Sequence, residues 1–271
     1  MTKRRLNLIN LLFVSMLPVG AWSGPVLAII SGQDLPHNEN DLTSSIVALQ
    51  MSELQEDGST RYYKGTGFLI KDDVVLTAGH NVAYIPDPNN VEVIFSATPC
   101  WGTNLCGEMR VIAVKKIVHQ LFRQIPGGTE FDLALVKLSS KAPSRYNPIS
   151  MISEANPIGE VPLRVMGFGV DREGLVVPLS SFRLRGISLS GLDSTYNFGF
   201  SQKFWVDQRN GGFCAGDSGA PAIFLDTDSS AAVGIAIHVT YSNGQSHCLT
   251  KGAFTDVLFF KKWIQDSLKE I

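Results

Sequence analysis

Charge, cysteine and long apolar runs are all scarce in this chain. Only 18% of its 271 residues are charged, and the formal net charge is −2. No long run of either sign occurs, so a nucleic-acid partner is not expected. Cysteine occurs four times and first at Cys100, which excludes a lipid on a cysteine near the N-terminus. Past residue 28 no segment is apolar enough to cross a bilayer. The histidines and cysteines lack ligand spacing, so no metal and no cofactor are expected. A calcium loop near residues 87–108 would be thin in carboxylates. With 44% hydrophobic residues the composition is that of a globular protein and not of a disordered chain.

What is present begins with the N-terminus. Lys3, Arg4 and Arg5 precede an apolar stretch from Leu6 to Trp22, followed by the small-residue end Ser23-Gly24-Pro25-Val26-Leu27-Ala28. That order reads as a secretory signal peptide over residues 1–28, with residues 29–271 as the exported domain, secreted or periplasmic. An uncleaved anchor is the alternative. Asn7, Asn10, Ser15 and Pro18 interrupt the stretch, and it is short for a bilayer span, so no stable membrane anchor is expected. Loss of the first 28 residues removes three cations and no acid, leaving a net charge of −5. Four cysteines in an exported chain suggest two disulfides. Three pairings are open; locality favours Cys100 with Cys106, which leaves Cys214 with Cys248.

Short apolar runs broken by turns fill the middle of the chain. Ser45–Met51, Gly67–Ile70, Val74–Thr77, Val91–Phe95, Val111–Val118 and Leu133–Leu138 read as strands. Several are continuously apolar, as in a closed barrel or a sandwich core. Ser139–Pro157, with three prolines, reads as a connector. Strand-like runs resume at Leu163–Phe168, Ser181–Leu189, Lys203–Val206, Pro221–Leu225 and Ala232–Thr240. No strand–helix alternation appears, so the class is all-β, in two similar halves. Only the C-terminus reads as helical, capped by Thr255 or Asp256, with Val257, Phe260, Ile264 and Leu268 on one face.

The chemistry concentrates in Phe213-Cys214-Ala215-Gly216-Asp217-Ser218-Gly219-Ala220-Pro221. A serine among glycines has a reachable hydroxyl, and the neighbouring N–H groups are free to meet a developing oxyanion. Alone, the run also reads as a Gly-rich surface turn. A nucleophilic serine needs a base and an acid to orient that base. His80 ends the apolar Val74-Val75-Leu76-Thr77-Ala78-Gly79 segment, where it would be held rigidly beside a cleft. Asp132 opens Leu133-Ala134-Leu135-Val136, well placed to lie under an imidazole away from water. Taken singly, a strand-end histidine is more often a core residue and such an aspartate a turn former.

Thr77-Ala78-Gly79-His80, then Phe131-Asp132-Leu133-Ala134-Leu135, then Gly216-Asp217-Ser218-Gly219-Ala220-Pro221 resemble, in that order, the trypsin/chymotrypsin-like serine proteases, the family on which the general Ser-His-Asp scheme is built. Lys115-Lys116-Ile117-Val118-His119, Met166-Gly167-Phe168-Gly169 and Ala253-Phe254-Thr255-Asp256-Val257 add framework similarities, so the resemblance spans residues 29–271. It implies two antiparallel β-barrels of the chymotrypsin-like fold with a C-terminal α-helix, barrel one over about 29–148 and barrel two with the helix over about 149–271. It also implies a secreted serine endopeptidase, with His80, Asp132 and Ser218 as triad and the N–H groups of Gly216 and Ser218 as oxyanion hole. Ile29, once freed as an N-terminus, would pair with Asp217. The expected partners are a protein or peptide substrate and a protein inhibitor, with the enzyme a monomer. An α/β-hydrolase is excluded: Ala220 stands two residues after Ser218, and histidine does not come last.

The departures are informative. No Lys or Arg precedes Ile29; Val26-Leu27-Ala28 fits a signal-peptidase site, so export itself would create the active N-terminus. Cleavage at Ala21 or Ser23 would leave a short pro-segment instead. Asn81 follows His80 where many animal members carry a cysteine, which points to a divergent, bacterial-type branch. Gly212 stands at the base of the primary pocket, so a Lys or Arg preference is unsupported. Phe213 would narrow or fill that pocket. The strand from Gly234 to Thr240 would form one wall but lacks Ser-Trp-Gly, which leaves open what supports Asp132 from behind. His238 would bind an acidic side chain, or else be a strand histidine satisfied by neighbours. Apolar or small side chains are the expected preference. The alternative function is a serine-protease fold kept as a binding protein, without catalysis.

Overall fold

The computed structural model describes residues 29–271 except 104–105, 155–162, 172–181, 193–195, 197, 226–229 and 243–244. The expected signal segment, the end of the expected Ser139–Pro157 connector and the first residue of the expected Ser181–Leu189 strand lie outside the described residues. The first half contains β1 (Gln33–Asp34), β2 (Ile46–Leu54), β3 (Thr60–Lys71), β4 (Val74–Thr77) and β5 (Val91–Phe95). The long β6 (Met109–Val118), a small hairpin of β7 (Arg123–Ile125) and β8 (Gly128–Glu130), and β9 (Ala134–Leu138) follow. Strands β2, β3, β4, β9, β6 and β5 close into a barrel in that order.

The second half contributes β10 (Ser150–Met151), β11 (Leu163–Gly167), β12 (Arg185–Leu189), β13 (Gly191–Leu192) and β14 (Lys203–Asp207). It ends with β15 (Pro221–Leu225), β16 (Ser230–Ser242) and β17 (Gln245–Asp256). These form a nine-stranded sheet that also takes in β1, which pairs with β12 through Gln33 and Asp34. Gln33 and Asp34 are thus tied to the far half of the molecule.

The continuous apolar runs have a direct cause. In β2, Val47, Leu49 and Met51 point into the barrel with Val75, Val93, Phe95 and Val136. The alternate residues Ile46 and Ala48 join a second core with Phe68, Leu76, Leu135, Ile223, Ile235 and Ile264. A strand alternates its faces; here both faces are buried, one inside the barrel and one against the second half. A third core of Val165, Phe204, Ala222, Val233 and Phe254 fills that half and includes Ile29 and Ile30.

Two boundaries differ from expectation. The C-terminal helix α2 spans Lys261–Glu270, not from Thr255 or Asp256, because β17 runs through Asp256. The Asp256 carboxylate instead accepts from Leu258 N at 2.8 Å and Phe259 N at 3.0 Å, which caps the turn that leads to the helix. Residues 245–252 also lie in a strand, β17, although the sequence there carries no apolar run. Among the described residues no helix is long and apolar enough to cross a membrane.

Candidate active site

His80 sits on α1 (Gly79–Val82), a single helical turn two residues past the end of β4, rather than on the strand itself. Asp132 lies just ahead of β9, which pairs with β4 along Val74–Thr77. Adjacent antiparallel strands therefore bring the two residues together from 52 positions apart. The Asp132 carboxylate holds His80 by both ends: Oδ1 accepts from the His80 backbone N–H at 2.8 Å, and Oδ2 lies 2.8 Å from Nδ1. Phe131, immediately before Asp132, has a φ of 50°. A bulky side chain rarely adopts this left-handed conformation, and here it turns the aspartate beneath the imidazole.

Two hydroxyls complete the seat of Asp132, and sequence inspection found neither. Thr129 Oγ1 donates to Asp132 Oδ2 at 2.5 Å, and Thr255 Oγ1 donates to the Asp132 carbonyl at 2.9 Å. Asp132 is 1% exposed. Burial alone would raise its pKa, but the His80 charge, the bonds from His80 and the Thr129 hydroxyl outweigh it and hold the carboxyl below its ordinary value. Burial likewise disfavours the charged form of His80, whose side chain is 25% exposed, but the Asp132 charge and hydrogen bond raise its pKa above the usual histidine value.

The serine loop approaches from the second half. Its backbone is fastened to the first barrel: Thr66 N and Asn81 Nδ2 donate to the Ser218 carbonyl at 2.9 and 2.8 Å, and Thr66 Oγ1 donates to the Gly216 carbonyl at 3.1 Å. Gly219 has a φ of 92°, and a methyl there would lie 2.0 Å from the Thr66 carbonyl oxygen. Only glycine allows that contact. Among the described residues the N–H groups of Gly216 and Ser218 have no protein acceptor, whereas those of Asp217, Gly219 and Ala220 are each bonded within the loop or to the sheet. Ser218, His80, Asn81, Lys64, Tyr63 and Tyr84 line one cleft of about 280 Å³.

Asp217 points the other way, into the interior, and is fully buried. Its carboxylate accepts from Gly169 N at 2.7 Å and Cys214 N at 2.9 Å. Burial pushes its pKa up to about 7; the Cys214 and Gly169 N–H groups and the Arg185 charge offset this only in part. Ile29 is also fully buried, in the core that includes Cys214 and Ala220, and Ile30 bridges to Gly212. Both expected disulfides are present, Cys100 with Cys106 and Cys214 with Cys248.

Of the three residues expected around the primary pocket, two are interior and one lies at an opening. Gly212 and Phe213 are buried, and the Phe213 ring packs edge-on against Phe254 with centroids 4.9 Å apart. His238 lies instead with His80, Thr129 and Ile237 along a second opening of about 430 Å³ beside the β7–β8 hairpin. Burial, helped by the Lys203 charge, lowers its pKa to about 4. This favours the neutral imidazole in the unliganded protein. Near residues 87–108, Glu92 and Glu108 both bind Arg110, at 3.0 and 2.7 Å, and Asp87 caps a short turn.

The family model described as Trypsin matches residues 29–264. Coagulation factor XII of Sus scrofa is 28% identical over 223 residues, covering 74% of this chain and 35% of the porcine protein. The crystal structure of a scabies mite inactivated protease paralogue superposes with a TM-score of 0.66 at 20% identity, over 89% of this chain and 99% of the other. That of HL collagenase gives 0.65 at 22% identity, with the same coverage. At these identities the two structures bear on the fold alone. This chain belongs to the trypsin family and has a chymotrypsin-like fold.

Proposed function

We propose that this protein is an exported serine endopeptidase that works through His80, Asp132 and Ser218. The observation that carries this reading is the two-point grip of Asp132 on His80, with His80 and Ser218 lining the same cleft. An inactivated paralogue is among the similar structures, so the fold alone does not imply catalysis; catalysis requires the side chains of His80, Asp132 and Ser218.

Ser218 Oγ attacks the peptide carbonyl carbon as its proton passes to His80 Nε2. The carbonyl oxygen becomes an oxyanion, and the N–H groups of Gly216 and Ser218, without an acceptor among the described residues, are the donors that receive it. Asp132 fixes the imidazole tautomer and stabilises the imidazolium. His80 then protonates the leaving amine, the C–N bond breaks, and an ester on Ser218 remains. Water repeats the sequence and releases the acid.

The activation reading is that residues 1–28 leave as a signal peptide and the new Ile29 ammonium pairs with Asp217. Two observations favour it. Asp217 is a buried carboxylate for which an added cation would be strongly favourable. Ile29 already sits inside the same half with a φ of 44°, a conformation that strains a β-branched residue while a peptide bond precedes it. N-terminal sequencing of the active exported protein tests the junction; a start other than Ile29 contradicts it. For the activity, the test is the release of new termini from a denatured protein substrate. Wild type should produce them and Ser218→Ala should not, with a loss of about six orders of magnitude in turnover. Equal release by both proteins would refute the assignment.

A further inference from the structure

We infer that Gln208 is a specificity-determining residue that plugs the pocket beside the catalytic serine and restricts cleavage to bonds that follow glycine or alanine. The inference rests on the protease reading above. Gln208 follows directly on β14 and is fully buried. Its carboxamide is bound on both sides of a narrow space: Oε1 accepts from Phe213 N at 2.9 Å, and Nε2 donates to the Phe213 carbonyl at 3.2 Å and the Cys248 carbonyl at 2.9 Å.

The two walls it joins are the segment that leads into Ser218 and strand β17. Each wall carries a glycine where the amide rests. A methyl at Gly212 would lie 2.3 Å from Gln208 Cδ and Oε1, and one at Gly252 would lie 2.8 Å from the same atoms. In an open pocket, glycines on facing walls leave room for an incoming side chain; here the Gln208 amide fills that room. The Phe213 ring closes the space further, because a methyl at Gly252 would lie 2.3 Å from its Cε1. The Cys214–Cys248 disulfide clamps the walls together. An entering side chain would have to expel Gln208 and break its three interior hydrogen bonds, which is costly when buried. Glycine and alanine place nothing beyond one carbon in that space.

The test measures kcat/KM of the exported, processed protein on peptides that differ only in the residue before the scissile bond. Wild type should cleave after alanine or glycine at least 100-fold faster than after leucine, phenylalanine or lysine. Gln208→Ala should narrow that ratio at least tenfold by gaining activity on the larger apolar residues. Wild type alone provides a second readout if the variant does not fold: a peptide aldehyde ending in alaninal should inhibit at least 100-fold more tightly than one ending in phenylalaninal. Equal cleavage after large residues, or an unchanged ratio in folded Gln208→Ala, overturns the role of Gln208. A small fluorophosphonate needs no pocket, so it separates the two readings. Labelling of Ser218 in a protein that prefers large residues refutes the plug alone, and absence of labelling refutes the protease reading and the plug with it.

Discussion

Thr129 Oγ1 donates to Asp132 Oδ2 at 2.5 Å, deep in the protein and three residues upstream in the chain. The β7–β8 hairpin thereby supplies the hydroxyl that the 234–240 strand, with Ile237 and His238, does not. Thr129→Val keeps the shape and removes the donor. Stability at pH 7 should fall by about 1–3 kcal/mol, the cost of leaving a buried acceptor short of a partner. The folded pKa of Asp132 lies below its unfolded value, so its contribution is present above the unfolded pKa and is lost as pH falls through the folded one. The gap between wild type and variant should therefore shrink between pH 7 and pH 3 in urea unfolding. As a positioning residue Thr129 should affect kcat more than KM, and Thr129→Ser should restore both stability and kcat.

His80 must be neutral to accept the serine proton. The Asp132 charge and hydrogen bond, working against burial, hold its pKa above the ordinary 6.5. The expected kcat/KM therefore rises with pH through a midpoint above 6.5. Asp132→Asn removes the charge that raises the pKa, so the midpoint should move down while kcat falls by about four orders of magnitude. A midpoint that stays put in the variant would remove Asp132 from its assigned place.

Asn81 takes over part of what a disulfide beside the histidine would do. Its Nδ2 donates to the Ser218 carbonyl at 2.8 Å and to Thr77 Oγ1 at 3.0 Å, which ties α1 to the serine loop. Asn81→Ala should cost about 1–3 kcal/mol of stability and loosen the loop, with kcat lowered by about tenfold. Gly65→Ala should act in the same direction, since its methyl would lie 2.7 Å from Asn81 Nδ2. Thermal unfolding and turnover of both variants check this.

The three chemical motifs were legible because each compresses its requirement into neighbouring residues: small residues around Ser218, an apolar strand leading to His80, a buried strand after Asp132. The paired faces of β2 were legible as a continuous apolar run. Thr129, Asn81 and Gln208 were not, because an isolated threonine, asparagine or glutamine carries no periodic or local signal. Two of them also reach far along the chain: Asn81 meets Ser218 across 137 positions, and Gln208 meets Cys248 across 40. The pocket reading stopped for the same reason. Gly212 and Phe213 were visible beside Ser218, while Gln208, just past β14, meets Gly212, Phe213 and Gly252 only once the chain is folded.

Asp217 gives the N-terminus a pH signature. With residues still attached ahead of Ile29, the folded pKa of Asp217 is about 7 against an ordinary 3.8, so the folded form holds the proton across that window. Stability of this form should fall as pH rises from about 4 to about 7, by on the order of 4 kcal/mol in total. A chain that begins at Ile29 supplies an ammonium to the carboxylate and should lose this decline. Denaturant midpoints of the two forms at pH 4.5 and 7.5 compare them, and parallel profiles would contradict the Ile29–Asp217 pairing.

On the proposed mechanism Ser218 is a nucleophile activated by His80. Intact-mass analysis of the exported, folded protein after exposure to a fluorophosphonate measures this without any knowledge of the substrate. One adduct per chain is expected, mapped to Ser218 by peptide sequencing, with the rate of labelling cut by orders of magnitude in His80→Ala. A folded, processed protein that remains unmodified, or one that is modified at the same rate without His80, would contradict it.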